Sequence, residues 1–134
     1  MRVTPAAEFA LRGISVLAEL NGNGPVNLAV ICKQRDLSRQ YLAKIFRLLA
    51  RAGLVRPVRG KHGGYVLVRR PEEITLRDVI EAVEGPIALN FCQYTPPRCD
   101  RYDCPIRPIW TELQGIVCNR LGGVTLAQVI DTDG

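Results

Sequence analysis

Residues 38–65 read SRQYLAKIFRLLARAGLVRPVRGKHGGY, and the period of the apolar residues changes inside this stretch. Leu42, Ile45, Phe46 and Leu49 recur at i, i+3, i+4 and i+7, the stripe of a helix that Ser38 can cap and Gly53 can end. The opposite face carries Gln40, Lys44, Arg47 and Arg51. Beyond Gly53, residues 54–58 and 65–68 are short β-branched runs separated by Arg59-Gly60-Lys61-His62-Gly63-Gly64, a hairpin signature with glycines able to take positive φ. A basic outer face is what many soluble helices show. A hairpin tip holding Arg59, Lys61 and His62 directly after it favours a recognition helix with a wing, because those cations can press on phosphates or enter the minor groove beside the helix's site. His62, the sole histidine, reads as a phosphate or solvent contact, since an exposed tip offers no neighbouring metal ligands.

Upstream, Thr4-Pro5 opens a first helix, with Ala10, Leu11, Ile14, Leu17 and Ala18 at helical spacing until Asn21-Gly22. Asn27 can cap a second helix through about Gln34, with Leu28, Ile31 and Cys32 facing inward. The short link Arg35-Asp36-Leu37 then makes a helix-turn-helix with the basic helix. Downstream, Pro71 closes the wing, and Thr75 with Asp78 forms a capping box for a helix carrying Leu76, Val79, Ile80 and Val83 that ends at Gly85-Pro86. An irregular stretch follows to Cys104. Pro105 then opens a helix with Ile106, Ile109, Trp110, Leu113, Ile116, Val117 and Leu121, and residues 125–130 form a last amphipathic turn.

The expected fold is therefore mostly α with a small β wing, in the α+β class. A winged helix-turn-helix occupies residues 1–85, a cysteine loop residues 86–104, and a dimerisation helix with a terminal turn residues 105–134. The apolar face of the long helix is too wide for a small head that has its own core, so we expect a homodimer reading a palindromic operator.

Charge supports a duplex DNA partner. Residues 1–70 hold 13 Lys or Arg against Glu8, Glu19 and Asp36, a net of +10, whereas residues 71–134 carry −5, within a total of +5. Each phosphate neutralised releases condensed counterions. With 134 residues, 47% hydrophobic and 23% charged, the chain suits one compact domain plus an appended element. No apolar run approaches the roughly 20 residues that cross a bilayer, and residues 1–10 lack the layout of a secretory signal, so a cytoplasmic location and no membrane partner are expected. No nucleophile and base pair stands out, so we expect no enzyme; an iron–sulfur electron carrier would have no use for the basic helix and wing.

Five cysteines, Cys32, Cys92, Cys99, Cys104 and Cys118, cannot all pair within one chain. Cys32 reads as a small core residue and Cys118 as a buried thiol of the dimer interface. Cys92, Cys99 and Cys104 share the irregular loop, where thiolates can turn toward one soft metal centre. Their spacing is not that of paired C-x-x-C knuckles, which disfavours a zinc ribbon. Free or redox-pairing thiols are the alternative, leaving a cluster-free winged-helix regulator that answers to thiol chemistry or a protein partner.

The stretches Ser38-x-x-Tyr41-Leu42, Ala52-Gly53-Leu54-Val55 and Arg59-Gly60-x-x-Gly63-Gly64-Tyr65, with Ile74-Thr75-Leu76-x-Asp78-Val79-Ile80-Glu81-Ala82-Val83-Glu84-Gly85, closely resemble the bacterial winged-helix repressor family of IscR, NsrR, RirA and CymR, the Rrf2 family. The resemblance covers nearly the whole chain. It implies a homodimeric transcription factor whose recognition helix enters the major groove and whose wing Arg59 probes the minor groove; the half-site it reads depends on the side-chain poses of Ser38, Arg39, Gln40, Tyr41 and Lys44. It also implies an iron–sulfur cluster, 2Fe-2S or 4Fe-4S, on Cys92, Cys99 and Cys104 that senses iron–sulfur supply, nitric oxide or redox stress; CymR-like members lack that cysteine set. IscR-like members place a histidine ligand shortly after the third cysteine, where this chain has Arg107, which cannot coordinate a metal. NsrR-like members use a carboxylate near the N-terminus, donated across the dimer, and Glu8 stands at the matching position. Glu8 is also a favourable charge for a helix start.

Overall fold

The computed structural model describes residues 4–20, 24–35, 38–101 and 103–132. Helix α1 (Pro5–Glu19) starts where the sequence predicts: the Thr4 hydroxyl accepts from the Ala7 N–H at 3.2 Å, with Pro5 in the first turn. It ends on Leu20; the predicted stop at Asn21-Gly22 lies outside the described residues. Helix α2 (Leu28–Arg35) is held open by Asn27, whose side-chain oxygen accepts from the Ala29 N–H at 2.8 Å. Within the link to the next helix, Asp36 and Leu37 also lie outside the described residues. Helix α3 (Arg39–Arg51) follows Ser38 in an extended conformation. Its stripe of Leu42, Ile45, Phe46 and Leu49 is buried against α1, where Ala10, Ile14 and Leu17 meet it.

Strands β1 (Val55–Val58) and β2 (Gly64–Leu67) pair antiparallel, with Val58 opposite Gly64 and Val55 opposite Leu67. Val26 and Tyr65 add a rung, exchanging two backbone hydrogen bonds of 2.9 Å. That rung explains Gly64: a Cβ there would sit 2.3 Å from the Val26 carbonyl oxygen. The Tyr65 ring meets the buried Phe46 edge-on at 4.9 Å. The wing is therefore fastened to the head on two sides.

A 3-10 turn at Pro71–Glu73 leads to helix α4 (Leu76–Glu84). Its capping box is complete: the Thr75 hydroxyl accepts from the Asp78 N–H at 3.1 Å, and the Asp78 carboxylate accepts from the Thr75 N–H at 3.0 Å. Among the described residues, the stretch after Gly85 is irregular apart from a 3-10 turn at Phe91–Gln93. Helix α5 (Arg107–Gly122) begins two residues after Pro105, because Cys104 to Arg107 close a turn first, the Arg107 N–H donating to the Cys104 carbonyl at 3.2 Å.

Two details differ from the sequence reading. The terminal turn is helix α6 (Leu126–Thr132), and it returns to the head rather than extending the dimerisation segment. Leu126 is fully buried in the head's core, and Leu76 and Leu126 donate backbone bonds of 2.9 Å to Val124 and Ile74. Cys118, expected at a dimer interface, is buried inside its own chain with Ala7, Ile80 and Ile87, because α5 turns its Val117, Cys118 and Leu121 side toward α4 and α1. The other side of α5 leaves Ile106 (54%), Ile109 (56%), Leu113 (41%) and Ile116 (57%) exposed in one stripe. Among the described residues no helix is long and apolar enough to cross a membrane.

Candidate nucleic-acid interface and cysteine pocket

The burial of one side of α3 decides what the other presents. Ser38, Arg39, Gln40, Lys44, Arg47 and Arg51 are all exposed. Ser38 sits at the cap position but spends no side-chain hydrogen bond on the helix, so its hydroxyl is available to a partner. Tyr41 is different: it is half-buried, with its ring edge-on to Phe9 at 5.1 Å. Packing thus fixes this ring on the α1 side. Arg47 donates from Nε to the Ala43 carbonyl at 3.4 Å, which aligns its stem along the helix.

At the wing, Arg59, Lys61 and His62 are exposed on the turn between β1 and β2, where Gly60 takes φ +116°. Lys61 and His62 also line an open cleft of about 410 Å³ with Asn27 and Val30, so the wing tip and the start of α2 border one concavity. The sequence reading missed this cleft, which follows from the Val26–Tyr65 rung. It also missed Arg56, exposed on β1, for which a strict inward-outward alternation was the available signal. Arg70, after the wing, belongs elsewhere: its guanidinium donates to Glu73 at 2.9 Å, and this hydrogen bond, with the charges of Glu73 and Glu72, raises its pKa above the ordinary value. Glu73 locally balances that charge.

The three loop cysteines come together. Cys92, Cys99 and Cys104 line one pocket of about 120 Å³, walled by Phe91, Ile106, Arg107 and Trp110. None of the three thiols is in a disulfide. The donor set is soft, as iron–sulfur and other thiophilic centres require. Among the described residues, no three His, Cys, Asp or Glu side chains are arranged closely enough to hold a single metal ion. Arg107 lies in the pocket wall, with Nη2 donating to the Cys99 carbonyl at 3.4 Å. Glu8 lines no part of this pocket; it is exposed on α1 and ion-paired with Arg12 at 2.9 Å.

Polar side chains tie the loop to α5, and the sequence reading did not find them. Gln114 accepts from the Leu89 N–H at 2.9 Å and donates to the Ile87 carbonyl. Gln93 donates to the Cys92 sulfur at 3.3 Å and to the Thr111 hydroxyl at 3.0 Å. The available signal was the pair Thr111 and Gln114, polar and three residues apart on a helix otherwise read for its apolar face.

Comparison with known proteins agrees with this architecture. The Rrf2 family, described as an iron-dependent transcriptional regulator, matches residues 3–132. The transcriptional regulator CymR of Bacillus subtilis is 33% identical over 136 residues, covering 100% of this chain and 94% of its own. Its solved structure, titled the global cysteine regulator of that organism, superposes with a TM-score of 0.85 at 30% identity, covering 98% of each chain. IscR of Sodalis glossinidius is 32% identical, covering 99% of this chain and 81% of its own. The solved structure of T. potens IscR gives a TM-score of 0.81 at 28% identity, covering 100% of this chain and 89% of that one. An exposed basic helix and wing, on a head shared with these regulators over the whole length, place the chain in the Rrf2 family as a DNA-binding transcriptional regulator and not an enzyme.

Proposed function

We propose that the chain acts as a homodimer on a palindromic operator, and that an iron–sulfur cluster of the 2Fe-2S or 4Fe-4S kind on Cys92, Cys99 and Cys104 sets its grip on DNA. The observation that carries this reading is the one pocket that Cys92, Cys99 and Cys104 all line, at the start of the helix that bears the exposed apolar stripe. Ile106, Ile109, Leu113 and Ile116 supply the dimer face, and covering them removes apolar surface that a monomer leaves in water. Glu8 supplies an oxygen donor to the fourth position across the two-fold axis, since Arg107 cannot ligate. When bound, the cluster supplies iron chemistry sensitive to electron supply and to nitric oxide. The chain's own residues convert occupancy into geometry. The loop lies between α4 of the head and α5 of the dimer, so fixing it sets the separation and tilt of the two α3 helices. A tenfold change in operator affinity needs only about 1.4 kcal/mol of differential binding between the two geometries.

The test is anaerobic purification followed by visible absorption and native mass spectrometry. We expect a coloured, iron-containing dimer, loss of iron in Cys92→Ala, Cys99→Ala and Cys104→Ala, and an altered spectrum in Glu8→Ala. Glu8→Ala with an unchanged spectrum and unchanged reactivity removes Glu8 from the ligand set. A second reading, a regulator answering through free thiols, is favoured by the absence of a metal-ready cluster of side chains among the described residues. Iron-free protein whose operator binding follows thiol oxidation assigns the function to that reading.

A further inference from the structure

The cysteine loop and the start of α5 are joined by a chain of hydrogen bonds. One amide nitrogen, Nε2 of Gln93, donates both of its protons: one to Cys92 Sγ at 3.3 Å, the other to Thr111 Oγ1 at 3.0 Å. The Thr111 hydroxyl passes its own proton to the Arg107 carbonyl at 3.0 Å. Arg107 returns to the loop, Nη2 donating to the Cys99 carbonyl at 3.4 Å. Two of the three thiol-bearing residues are thus held by one turn of α5, Cys92 through its sulfur and Cys99 through its main chain.

We propose that Gln93 is a positioning residue that reports the state of the Cys92 sulfur to the first turn of α5. This deepens the sensor reading above, and rests on it only for what the sulfur holds. Three features of the chemistry carry the inference. First, sulfur is a variable acceptor: a neutral thiol or an alkylated sulfur accepts weakly, whereas a negatively charged or metal-bound sulfur draws an N–H donor more strongly. Second, a primary amide has two protons and both are engaged, so weakening the bond to sulfur frees the side chain to rotate and loosens its hold on Thr111. Third, the backbone keeps the amide beside its neighbour's sulfur, because the Gln93 N–H donates to the Asn90 carbonyl at 2.9 Å and closes the Phe91–Gln93 turn. Glutamine is suited to this role. A glutamate has no proton to give, and a leucine fills the space with neither donor nor acceptor.

Thr111 stands where the message matters. It lies one turn after Arg107 and between Ile109 and Leu113 in sequence, so a change in its tether acts at the start of the helix that carries the exposed stripe. Gln114 clamps the other end of the loop at Ile87 and Leu89.

The test uses the full-length, metal-free, reduced chain, so its outcome does not depend on whether iron binds. Backbone hydrogen exchange of residues 109–112 is measured in the wild type, Cys92→Ala, Cys92→Ser, Gln93→Leu and the Cys92→Ala/Gln93→Leu double variant. We expect Gln93→Leu to speed exchange there by about fivefold, the weight of one ordinary hydrogen bond, and Cys92→Ala, which removes only the weaker thiol acceptor, by about twofold. The double variant should exchange no faster than Gln93→Leu alone, and Cys92→Ser, which keeps an acceptor, should recover most of the protection. Thr111→Val, on the exposed side of the helix, should reproduce Gln93→Leu and serves in its place if that variant does not fold. Additive effects of the two single changes, or exchange at 109–112 that ignores Cys92→Ala, overturn the proposal. Either result leaves the cluster reading standing, while iron-free protein in the earlier experiment leaves this chain of hydrogen bonds standing.

Discussion

The winged head and the segment formed by the cysteine loop and α5 are built by opposite rules. In the head the apolar stripes of α1 and α3 find their partners within the chain: Ile14, Ile31, Leu42, Ile45, Phe46, Leu49, Ile74 and Leu126 are each 2% exposed or less. Its helix starts are tied by local bonds from Thr4, Asn27 and Thr75. In α5 one side packs on Ala7, Ile80 and Ile87 through Cys118, while the stripe from Ile106 to Ile116 stays in solvent. Its Arg107, Thr111 and Gln114 are committed to the loop. The contrast teaches where each task resides. The closed core lies in the head, and the exposed apolar surface lies on α5 beside the cysteine pocket.

The largest expected effect breaks the head. Phe46 is fully enclosed and touches the wing through Tyr65, so Phe46→Ala should cost about 3–5 kcal/mol in urea unfolding, with loss of operator binding following loss of the fold. The paired change on α5 should behave in the reverse way. Ile109→Asp with Ile116→Asp places charge on the exposed stripe; unfolding free energy of the head should move little, while sedimentation should report monomers. Operator affinity should then fall by about 100-fold or more, because two linked half-site contacts become independent. A dimer that survives both aspartates would mean that the stripe is not the contact between copies.

How much of this contrast was legible in the sequence follows from how local each cause is. Thr4-Pro5, the Thr75 and Asp78 pair and the glycine-rich hairpin act within a few residues, and each sits in the structure as its spacing predicts. The α3 stripe was equally plain, because period alone separates its buried and basic faces. Cys118 was misjudged because the apolar residues of α5 spread over a wide face, so its period could not say which side meets the head. Likewise, Leu126 finds its place only through a long-range return. The spacing of Cys92, Cys99 and Cys104 put them in one irregular loop, and all three line one pocket, but the ties of Gln93, Thr111 and Gln114 carried no such signal. They depend on the path of a loop that has no period to read.

A smaller effect probes the basic surface. Arg59 is exposed at the wing tip, and Arg59→Ala should weaken operator binding by about 1–3 kcal/mol in titrations at fixed salt. If its contact is to phosphate, the slope of log affinity against log salt should fall by about one and the loss should be similar on all sequences. If it reads the minor groove, the loss should concentrate on operators with narrow, A·T-rich flanks.

The smallest effect sharpens the boundary itself. Helix α4 serves both regions, with Val79 in the head's core and Ile80 in the cluster that holds Cys118. Thr75→Ala removes the hydroxyl that accepts from Asp78 but keeps the backbone bridge between Thr75 and Thr125, so it tests the cap without detaching α6. The expected cost is about 1 kcal/mol, recovered by Thr75→Ser. Hydrogen exchange then decides how that cost is shared. Faster exchange in the first turn of α4 alone would show a head that absorbs the loss locally, as a self-sufficient unit should. Equal acceleration at Cys118 and in the core around Val79 would show that α4 binds the two regions into one cooperative body, so a signal at the cysteine pocket has a second route to α3 through the packing of a single helix.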